Sequence, residues 1–353
     1  MAIKINLGVD VHDFSSNMRT ENIPLEQFKY NLLIWGRDRS EKIALLSHIL
    51  NQFHARIPKV GVLLIRLDAH EDSNFFYLDK TYEYGDSDLI IPYFFEREQN
   101  EKNREQFENF INAIFGFHFE MRIVIGCVLR NYKVGEFPSS FVDFLEEVKL
   151  YLINNPYSED FTQSNISSVE KAIELLQEDP ILERTLWISL QLPEWLKSWS
   201  EGETVCIDLS QCDLYYQRLL VALILQAVKN YVPYNNSELP IGVIAIEDAD
   251  EIFQRPPYEE YREYYGLNSE YWDELREQNY FLTKEQIEEA CGDKSYLSNV
   301  QFERIISRII LDEFQYKNIS LINVCRDPSN VYDIIIRLTQ IKLNLDRIDN
   351  SNY

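Results

Sequence analysis

The residues with the clearest chemical potential lie in one short polar turn between an apolar run and a segment with helical spacing. The apolar run, Asn31–Trp35, predicts a buried strand, and residues 43–53 place their apolar side chains on one helix face. A strand, a glycine turn and a helix form the framework of a phosphate-binding loop, in which the spacing is G-x-x-x-x-G-K-[ST]. In this frame the chain has Gly36, Arg37, Asp38, Arg39, Ser40, Glu41, Lys42 and Ile43.

Two positions of this loop depart from the phosphate-binding pattern. Glu41 replaces the second glycine and Ile43 replaces the Mg²⁺-binding hydroxyl, whereas Gly36 and Lys42 are retained. Glu41 brings a Cβ atom and a carboxylate to a place where the backbone must approach a phosphate, and Ile43 cannot bind a metal. Asp38 precedes Glu41 at the spacing of a capping box, so carboxylates would occupy N–H groups that a phosphate uses. Two interpretations stay open: a relic of a nucleotide site, or an ordinary capped strand-turn-helix.

Acidic residues also follow two apolar runs further along the chain. Residues 59–67 and residues 241–246 predict buried strands; Asp68 follows the first, and Glu247 and Asp248 follow the second. The carboxyl ends of parallel strands are where α/β proteins place functional side chains. Adjacent carboxylates suit a metal-assisted hydrolase, with one acid near Mg²⁺ and the other activating water. The alternative is that both are solvated strand ends.

The alternation of apolar runs with helical spacing predicts an α/β fold with a mostly parallel sheet covered on both faces. Other strands are predicted at residues 86–92, 204–209, 319–324 and 341–345, and helices at residues 214–232, 299–315 and 331–338. From residue 100 to residue 200 the pattern is helical, which predicts a helical subdomain inserted into the sheet. Its apolar positions form three helix faces: Phe107, Phe110, Ile111, Ile114 and Phe115; Phe141, Phe144, Leu145, Val148 and Leu152; and Val169, Ala172, Ile173 and Leu176.

These patterns divide the chain into a core in two parts with the insertion between them. The expected segments are a lead-in at 1–29, the first core part at 30–99, the helical insertion at 100–200, the second core part at 201–345 and a tail at 346–353. Residues 255–283 are acidic, rich in tyrosine and without a sheet pattern. We expect there either a surface loop and helix or a protein-docking arm.

Bulk composition limits the class of protein. The 353 residues are 45% hydrophobic with only 11 glycines and 12 prolines, which is typical of a globular chain. No run approaches the roughly 20 apolar residues needed to cross a bilayer, and the first residues lack the blocks of a signal peptide. The five scattered cysteines predict buried free thiols rather than disulfides or a zinc site. We therefore expect a cytoplasmic protein without a membrane partner.

The formal net charge of −24 is the most unusual bulk property. Lys and Arg drive sequence-independent DNA binding, so an acidic monomer should bind DNA poorly unless its basic residues gather in one channel. Docking onto a basic protein would also neutralise this charge. The simplest alternative is that the acidic surface maintains solubility.

The order of these segments over residues 5–345 resembles the HerA/FtsK-type P-loop ATPases, ring-forming DNA translocases that include conjugation ATPases. Residues 68–72, DAHED, are similar to the family's D-P-H-G-E turn, and residues 204–210 are similar to its strand ending in I-D-L-S. Residues 247–249 lie where the family has its Walker B acids. Residues 313–318, EFQYKN, resemble its E-G-R-K-x-G helix end, and residues 326–331, RDPSNV, resemble its Q-R-P-S-D-V turn.

The resemblance implies a RecA-like P-loop NTPase core that binds ATP and Mg²⁺ through residues 36–43. For an active enzyme it assigns Lys42 to the phosphates, Glu247 to Mg²⁺ and Asp248 to the polarisation of water. Asp68 is implied as a further catalytic acid.

Two more motif positions depart from the family pattern. Gln315 replaces the family's arginine at the helix end, and Arg326 replaces its glutamine in the last turn. An arginine that stabilises the transferring phosphate contributes orders of magnitude in rate, so its loss affects the chemistry directly. Together with Glu41 and Ile43, these changes favour a catalytically degenerate protein that is a structural or regulatory subunit of a DNA-processing assembly.

Two alternative functions stay open. An ATP-driven DNA translocase with atypical motifs would use the retained residues for hydrolysis, and a DNA mimic would use its acidity to occupy a DNA-binding partner. The resemblance also implies a homo-oligomeric ring, a hexamer in this family, or a place beside an active HerA-like protein, with a nuclease as a further partner. DNA is expected as a partner only if a basic channel forms.

Overall fold

A computed structural model provides the structure of this chain, which divides into two compact units. One unit contains residues 1–95, 184–254 and 307–353, and the other contains residues 96–183 and 255–306. The structure describes residues 4–13, 18–57, 59–68, 75–92, 111, 117, 121–131, 140–156, 159–186, 192–233, 239–254, 306 and 314–345.

The described residues of the first unit form one nine-stranded sheet. Its strands are β1 Lys4–Asp13, β2 Met18–Pro24, β3 Asn31–Trp35, β4 Gly61–Arg66, β5 Lys80–Glu83, β6 Thr204–Asp208, β7 Gly242–Ile246, β8 Ile319–Cys325 and β9 Thr339–Asn344. The strand order is β2-β1-β9-β3-β8-β7-β4-β6-β5. The seven strands from β9 to β5 are parallel, and β1 and β2 are antiparallel. This arrangement confirms the predicted mostly parallel sheet.

Helices of both units occupy the segments between these strands. The described helices are α1 Arg39–Arg56, α2 Met121–Asn131, α3 Phe141–Asn154, α4 Glu159–Glu178, α5 Pro180–Thr185, α6 Glu194–Ser200, α7 Leu214–Tyr231, α8 Ala249–Ile252 and α9 Asp333–Leu338. Helices α2, α3 and α4 belong to the second unit. Helix α6 instead packs against β4 and β6 of the sheet. The helical stretch predicted at 100–200 therefore contributes to both units.

Most of the predicted elements are confirmed to within about two residues. The strands predicted at 31–35, 59–67, 204–209, 241–246, 319–324 and 341–345 are β3, β4, β6, β7, β8 and β9, and the helix predicted at 214–232 is α7. The apolar faces predicted in residues 141–152 and 169–176 are buried in α3 and α4. The face in residues 107–115, apart from the buried Ile111, and the segment 255–283 lie outside the described residues, as does most of the helix predicted at 299–315.

The strand predicted at residues 86–92 is wrong. The strand of this region, β5, ends earlier at Glu83, because Gly85 turns the chain at a φ of 108° and the Asp86 carboxylate accepts a hydrogen bond from the Glu83 N–H at 2.8 Å. Ile91 is fully buried but forms only an isolated bridge. The apolar run is therefore a buried loop, which hydrophobicity by itself does not distinguish from a short strand.

The lead-in adds two antiparallel strands to the sheet. β1 pairs with β2, and it reaches β9 through His12, which lies opposite Asn344. Gln52 of α1 holds the irregular part of β1, since its side-chain amide accepts a hydrogen bond from the Asn6 N–H at 2.9 Å and donates one to the Asn6 oxygen at 2.6 Å. The contacts of β1 with β9 and with Gln52 are long-range, so the local pattern predicted only an extended segment.

One hydrophobic cluster joins α1 to the sheet. Leu46, Ile49 and Phe53 of α1 are fully buried in it beside Leu64 of β4. Ile43 belongs to the same cluster with 4% exposure. The isoleucine at the position of the metal-binding hydroxyl therefore packs in the core, where burial of such a side chain contributes about 1.5 to 3 kcal/mol.

The described cysteines are consistent with the predicted buried thiols. All four are free, and Cys206, Cys212 and Cys325 are buried, whereas Cys127 is partly exposed. Among the helices that the structure describes, none is long and apolar enough to cross a membrane.

Candidate functional site

The parallel sheet brings the predicted site loops to one edge. In the strand order, β8 separates β3 from β7, and β4 lies on the far side of β7. Because these four strands are parallel, the loops that follow them all lie at the carboxyl edge of the sheet. Gly36 follows β3, Arg326 follows β8, Glu247 follows β7 and Asp68 lies just beyond β4. The sheet therefore groups residues from distant parts of the chain.

A side chain of the loop after β3 caps the amino end of α1. Asp38 is the N-cap of α1, and its Oδ1 accepts a hydrogen bond from the Glu41 N–H at 3.1 Å. This contact confirms the predicted cap. The side chains of Ser40 and Glu41 are exposed. A carboxylate of the chain thus uses an N–H group that a phosphate would otherwise contact at this helix start.

Lys42 points into the protein. It is 2% exposed, and its Nζ donates a hydrogen bond to the main-chain oxygen of Cys325 at the end of β8, at 3.0 Å. Burial lowers the pKa of Lys42, and the nearby Asp250 and Asp248 oppose this change. The ammonium group therefore ties the start of α1 to a neighbouring strand.

Arg39 forms an ion pair across the edge of the sheet. Its Nη1 lies 2.7 Å from Asp248 Oδ2 and 3.5 Å from Asp68 Oδ2. Asp248 has a left-handed backbone conformation, with a φ of 50°. Burial raises the pKa of Asp248, whereas the positive charge of Arg39 lowers it. The loop after β3 is thus linked directly to the two predicted acidic strand ends.

A second arginine, Arg66, lies between two further carboxylates. Its Nη1 donates a hydrogen bond to Asp208 Oδ2 at 3.1 Å, and its Nε lies 3.8 Å from Glu247 Oε2. The Arg66 side chain is only 8% exposed. Sequence reasoning missed Arg66 and Asp208 as site residues. The sequence feature that could have identified Arg66 is the presence of an arginine inside the apolar run of β4, because a charge in a buried strand requires a partner.

Glu247 is the most perturbed of the described carboxyl groups at this edge. Burial raises its pKa to about 7, although Arg66 acts in the opposite direction. Asp248 and Asp208 add to the rise, because neighbouring negative charges disfavour a further one. Glu247 therefore exchanges its proton close to neutral pH.

We expect the pKa of Glu247 to make the stability of the fold depend on pH. A carboxyl group whose pKa is higher in the folded protein stabilises the fold when protonated, so this contribution is fully present below the ordinary pKa of 4.5 and is lost as the pH rises through about 7. The difference corresponds to about 3 kcal/mol. Urea unfolding from about pH 4 to about pH 8 measures this loss. The Glu247→Gln variant should lack this loss of stability. An equal pH dependence in the wild type and the variant would contradict the raised pKa assigned to Glu247.

Arg326 contacts the acidic segment through its backbone. Its N–H donates a hydrogen bond to Asp250 Oδ2 at 3.0 Å, and its side chain is exposed. Gln315 begins a short 3-10 turn, which Asn318 follows in a left-handed conformation at a φ of 54°. The motif of the resembled family has glycine at the position of Asn318, and asparagine tolerates the same conformation. Asn318 therefore has a backbone conformation that glycine adopts readily.

Four of the described carboxylates at the edge contact arginines of the chain itself. Arg39 contacts two of them and Arg66 contacts two others. Within the part of the chain that the structure describes, no group of three or more His, Cys, Asp or Glu side chains converges as metal ligands would. In this arrangement a Mg²⁺-nucleotide could contact these four carboxylates only after the ion pairs had opened.

Comparisons with known proteins identify the fold. No family model matches the chain, and no curated protein matches it. The unbound bacterial conjugative coupling protein TrwBdeltaN70 is similar over 90% of this chain and 69% of its own, with a TM-score of 0.51 and 10% identity. VirB4 of Thermoanaerobacter pseudethanolicus is similar over 94% of this chain and 80% of its own, with a TM-score of 0.50 and 9% identity. TrwB has also been solved with ADP and Mg²⁺, and that structure covers 88% of this chain and 67% of its own, with a TM-score of 0.48 and 10% identity.

At these identities the similarity concerns the fold. Seven parallel strands with helices, and a glycine turn between β3 and α1 at the carboxyl edge, agree with what the sequence predicted. The chain therefore has the α/β fold of the RecA-like P-loop NTPases.

Proposed function

We propose that this chain is a structural or regulatory subunit of a DNA-processing assembly, with a P-loop ATPase fold that no longer hydrolyses ATP. In this proposal it works in the cytoplasm in a ring, either with other copies of itself or beside an active HerA-like ATPase, and a nuclease is a further partner. The observation that carries the proposal is the hydrogen bond from Lys42 to the Cys325 carbonyl.

The contacts of the loop support the loss of hydrolysis. A phosphate-binding lysine needs a free ammonium group, and the N–H groups at the helix start must also be available. Lys42 is buried against Cys325, and Asp38 accepts from an N–H of the first turn. A triphosphate would have to replace both hydrogen bonds, and each hydrogen bond to a charged group contributes about 1.5 to 3 kcal/mol. It would also bring its negative charge beside Asp38 and Glu41.

The class of assembly is supported by fold and motif order together. TrwB, whose structure is similar to this chain, is a bacterial conjugative coupling protein. The order of motifs along the chain resembles the HerA/FtsK-type DNA translocases. The net charge of −24 disfavours DNA binding by a single copy, so a role through protein partners accounts better for the acidic composition.

The alternative is an active ATP-driven DNA translocase of the HerA type. It is favoured by the retention of Gly36 and Lys42 and by the adjacent acids Glu247 and Asp248 at the end of β7. In that enzyme Lys42 would leave Cys325 to contact the phosphates, Glu247 would bind Mg²⁺, and Asp248 would polarise the attacking water.

Isothermal titration with Mg²⁺-ATP, followed by an assay of phosphate release, separates the two functions. We expect no saturable heat and no turnover from the wild-type chain. Lys42→Ala should lower the free energy of unfolding by about 1 to 3 kcal/mol without any change in the nucleotide assays, because the buried Cys325 carbonyl loses its donor. Lys59→Ala, which removes an exposed lysine, is the matched control and should change neither property.

Nucleotide binding with turnover would be the opposite result. Tight Mg²⁺-ATP binding with turnover that Lys42→Ala abolishes and Lys59→Ala preserves would overturn the proposal in favour of the translocase. Native mass spectrometry tests the ring separately. A particle that stays monomeric, alone and when mixed with an active HerA-like ATPase, would contradict the proposed assembly.

A further inference from the structure

Helix α3 of the second unit has a face that exposes apolar side chains to solvent. At about 100° per residue, the buried side chains Phe144, Leu145 and Val148 lie on one side of this helix. Leu150 lies on the opposite side, and Ile153 is its neighbour one turn further along. Leu150 is 49% exposed and Ile153 is 51% exposed. Although α3 packs against α2 and α4, these two apolar side chains remain in contact with water.

Acidic side chains lie beside the two apolar ones. Asp143 and Glu147 are both exposed and lie four residues apart, a spacing at which like charges destabilise a helix. Only Asp143 is in the first turn, where the helix dipole favours a negative charge. Within the described ranges neither carboxylate forms an ion pair, and Lys149 instead contacts Glu146 at 2.9 Å and Glu170 of α4 at 3.9 Å. The chain therefore leaves negative charge uncompensated on this face.

The charge of these helices determines which kind of partner fits. Helix α3 has three acidic residues and α4 has five, against one lysine in each. A second copy of this chain would bring a net charge of −24, and DNA or an anionic membrane would also bring negative charge. Like charges across an interface repel, so these three partners are disfavoured. A basic amphipathic helix would instead be attracted, and its apolar side chains could cover Leu150 and Ile153.

We propose that the outer face of α3, formed by Asp143, Glu147, Leu150 and Ile153, binds a basic amphipathic helix of a partner protein. The two apolar side chains form the centre of the contact and the two acids form its polar rim. A contact of this size belongs to the weak, transient class of interface. The inference goes beyond the proposed function and does not involve the nucleotide loop. ATP turnover by the wild-type chain would therefore contradict the proposed function and leave this inference standing.

Fluorescence anisotropy with a labelled synthetic peptide tests the inference on the full chain. The probe is an amphipathic helix of leucine and lysine, and the comparison peptide has glutamate in place of every lysine. The wild type should bind the lysine peptide at least about tenfold more tightly, and added salt should weaken this binding. Replacing both apolar residues, as Leu150→Gln with Ile153→Gln, should weaken it at least about tenfold, because the apolar contact is lost. Glutamine is a good helix former, so the double variant should keep the wild-type Tm.

Matched variants separate this face from the general acidity of the chain. Leu214→Gln changes a leucine of α7 that is 41% exposed, and Glu26→Lys reverses an exposed charge in the first unit. Neither should weaken binding of the lysine peptide by more than about twofold, because charges elsewhere on the surface are screened by salt. Glu147→Lys should weaken the binding at least about fivefold and reduce its salt dependence.

Equal binding by the wild type and the double glutamine variant would overturn the inference, and so would equal losses in Glu147→Lys and Glu26→Lys. Sedimentation velocity without peptide and a mobility shift with duplex DNA test the other occupants. Self-association or DNA binding that the double variant loses would assign this face to a second copy or to DNA, and would likewise overturn the inference.

Discussion

Replacement of Arg66 by methionine is expected to lower the free energy of unfolding by about 3 to 5 kcal/mol. Arg66 lies on β4 between β6 and β7, where it contacts Asp208 and Glu247. Methionine fills similar space but leaves both carboxylates without their cation. Removing one partner of a buried ion pair is costly because the remaining charge is uncompensated. Urea unfolding near pH 8 measures the loss, since Glu247 is ionised above its pKa of about 7.

Two comparisons separate the charge effect from packing. Combining Arg66→Met with Asp208→Asn and Glu247→Gln removes the uncompensated charges, so most of the loss should be recovered. Arg326→Met changes an exposed arginine at the same edge and should alter the free energy of unfolding by less than about 0.5 kcal/mol. A triple variant as unstable as Arg66→Met would contradict the electrostatic explanation.

Gly61→Ala is expected to destabilise the chain by about 3 kcal/mol. Gly61 begins β4, and a Cβ atom there would lie 1.8 Å from the main-chain oxygen of Trp199 in α6. Gly242 begins β7 and pairs with Gly61 in register, and its Cβ would lie 2.1 Å from the Trp199 ring. Trp199 is 2% exposed. The two glycines thus allow α6 to approach the amino ends of both strands.

A double-mutant cycle tests these two contacts against each other. The clash of Gly242→Ala is with a side chain, so Trp199→Leu should relieve it and give a coupling energy of about 2 kcal/mol. The nearest clash of Gly61→Ala is with the backbone, so Trp199→Leu should leave most of it in place. Thermal or urea unfolding of the single and double variants measures both couplings. Equal relief of the two alanine variants would contradict the assigned approach of the backbone.

Local patterns account for the elements that sequence reasoning predicted well. The buried strands β3, β4 and β7 are continuous apolar runs, as expected for strands covered on both faces. The prediction failed at 86–92 because a buried loop is as apolar as a buried strand, and only backbone hydrogen bonds distinguish them. The lead-in was predicted only as an extended segment, since β2 pairs with β1 and β1 joins the sheet through β9, which lies at the other end of the chain.

The residues of the candidate site also divide into those that local patterns predict and those that only the tertiary structure brings together. The departures at Glu41 and Ile43 were visible in the sequence because a phosphate-binding loop is a local motif with fixed spacing. The Asp38 cap is likewise local, since it joins residues three positions apart, and the structure confirms it. Arg66 could have been recognised as a charge inside an apolar run, but its partners could not, because they lie at the ends of two other strands.

The amino-acid sequence by itself determined the α/β class, the capped turn before α1 and the acids at the strand ends, because each depends on neighbouring residues. Only the tertiary structure decided which charges meet. The contacts of Lys42 with Cys325 and of Arg39 with Asp248 join segments more than 200 residues apart. They depend on strand order, which places β8 between β3 and β7, and hydrophobic periodicity carries no information about that order.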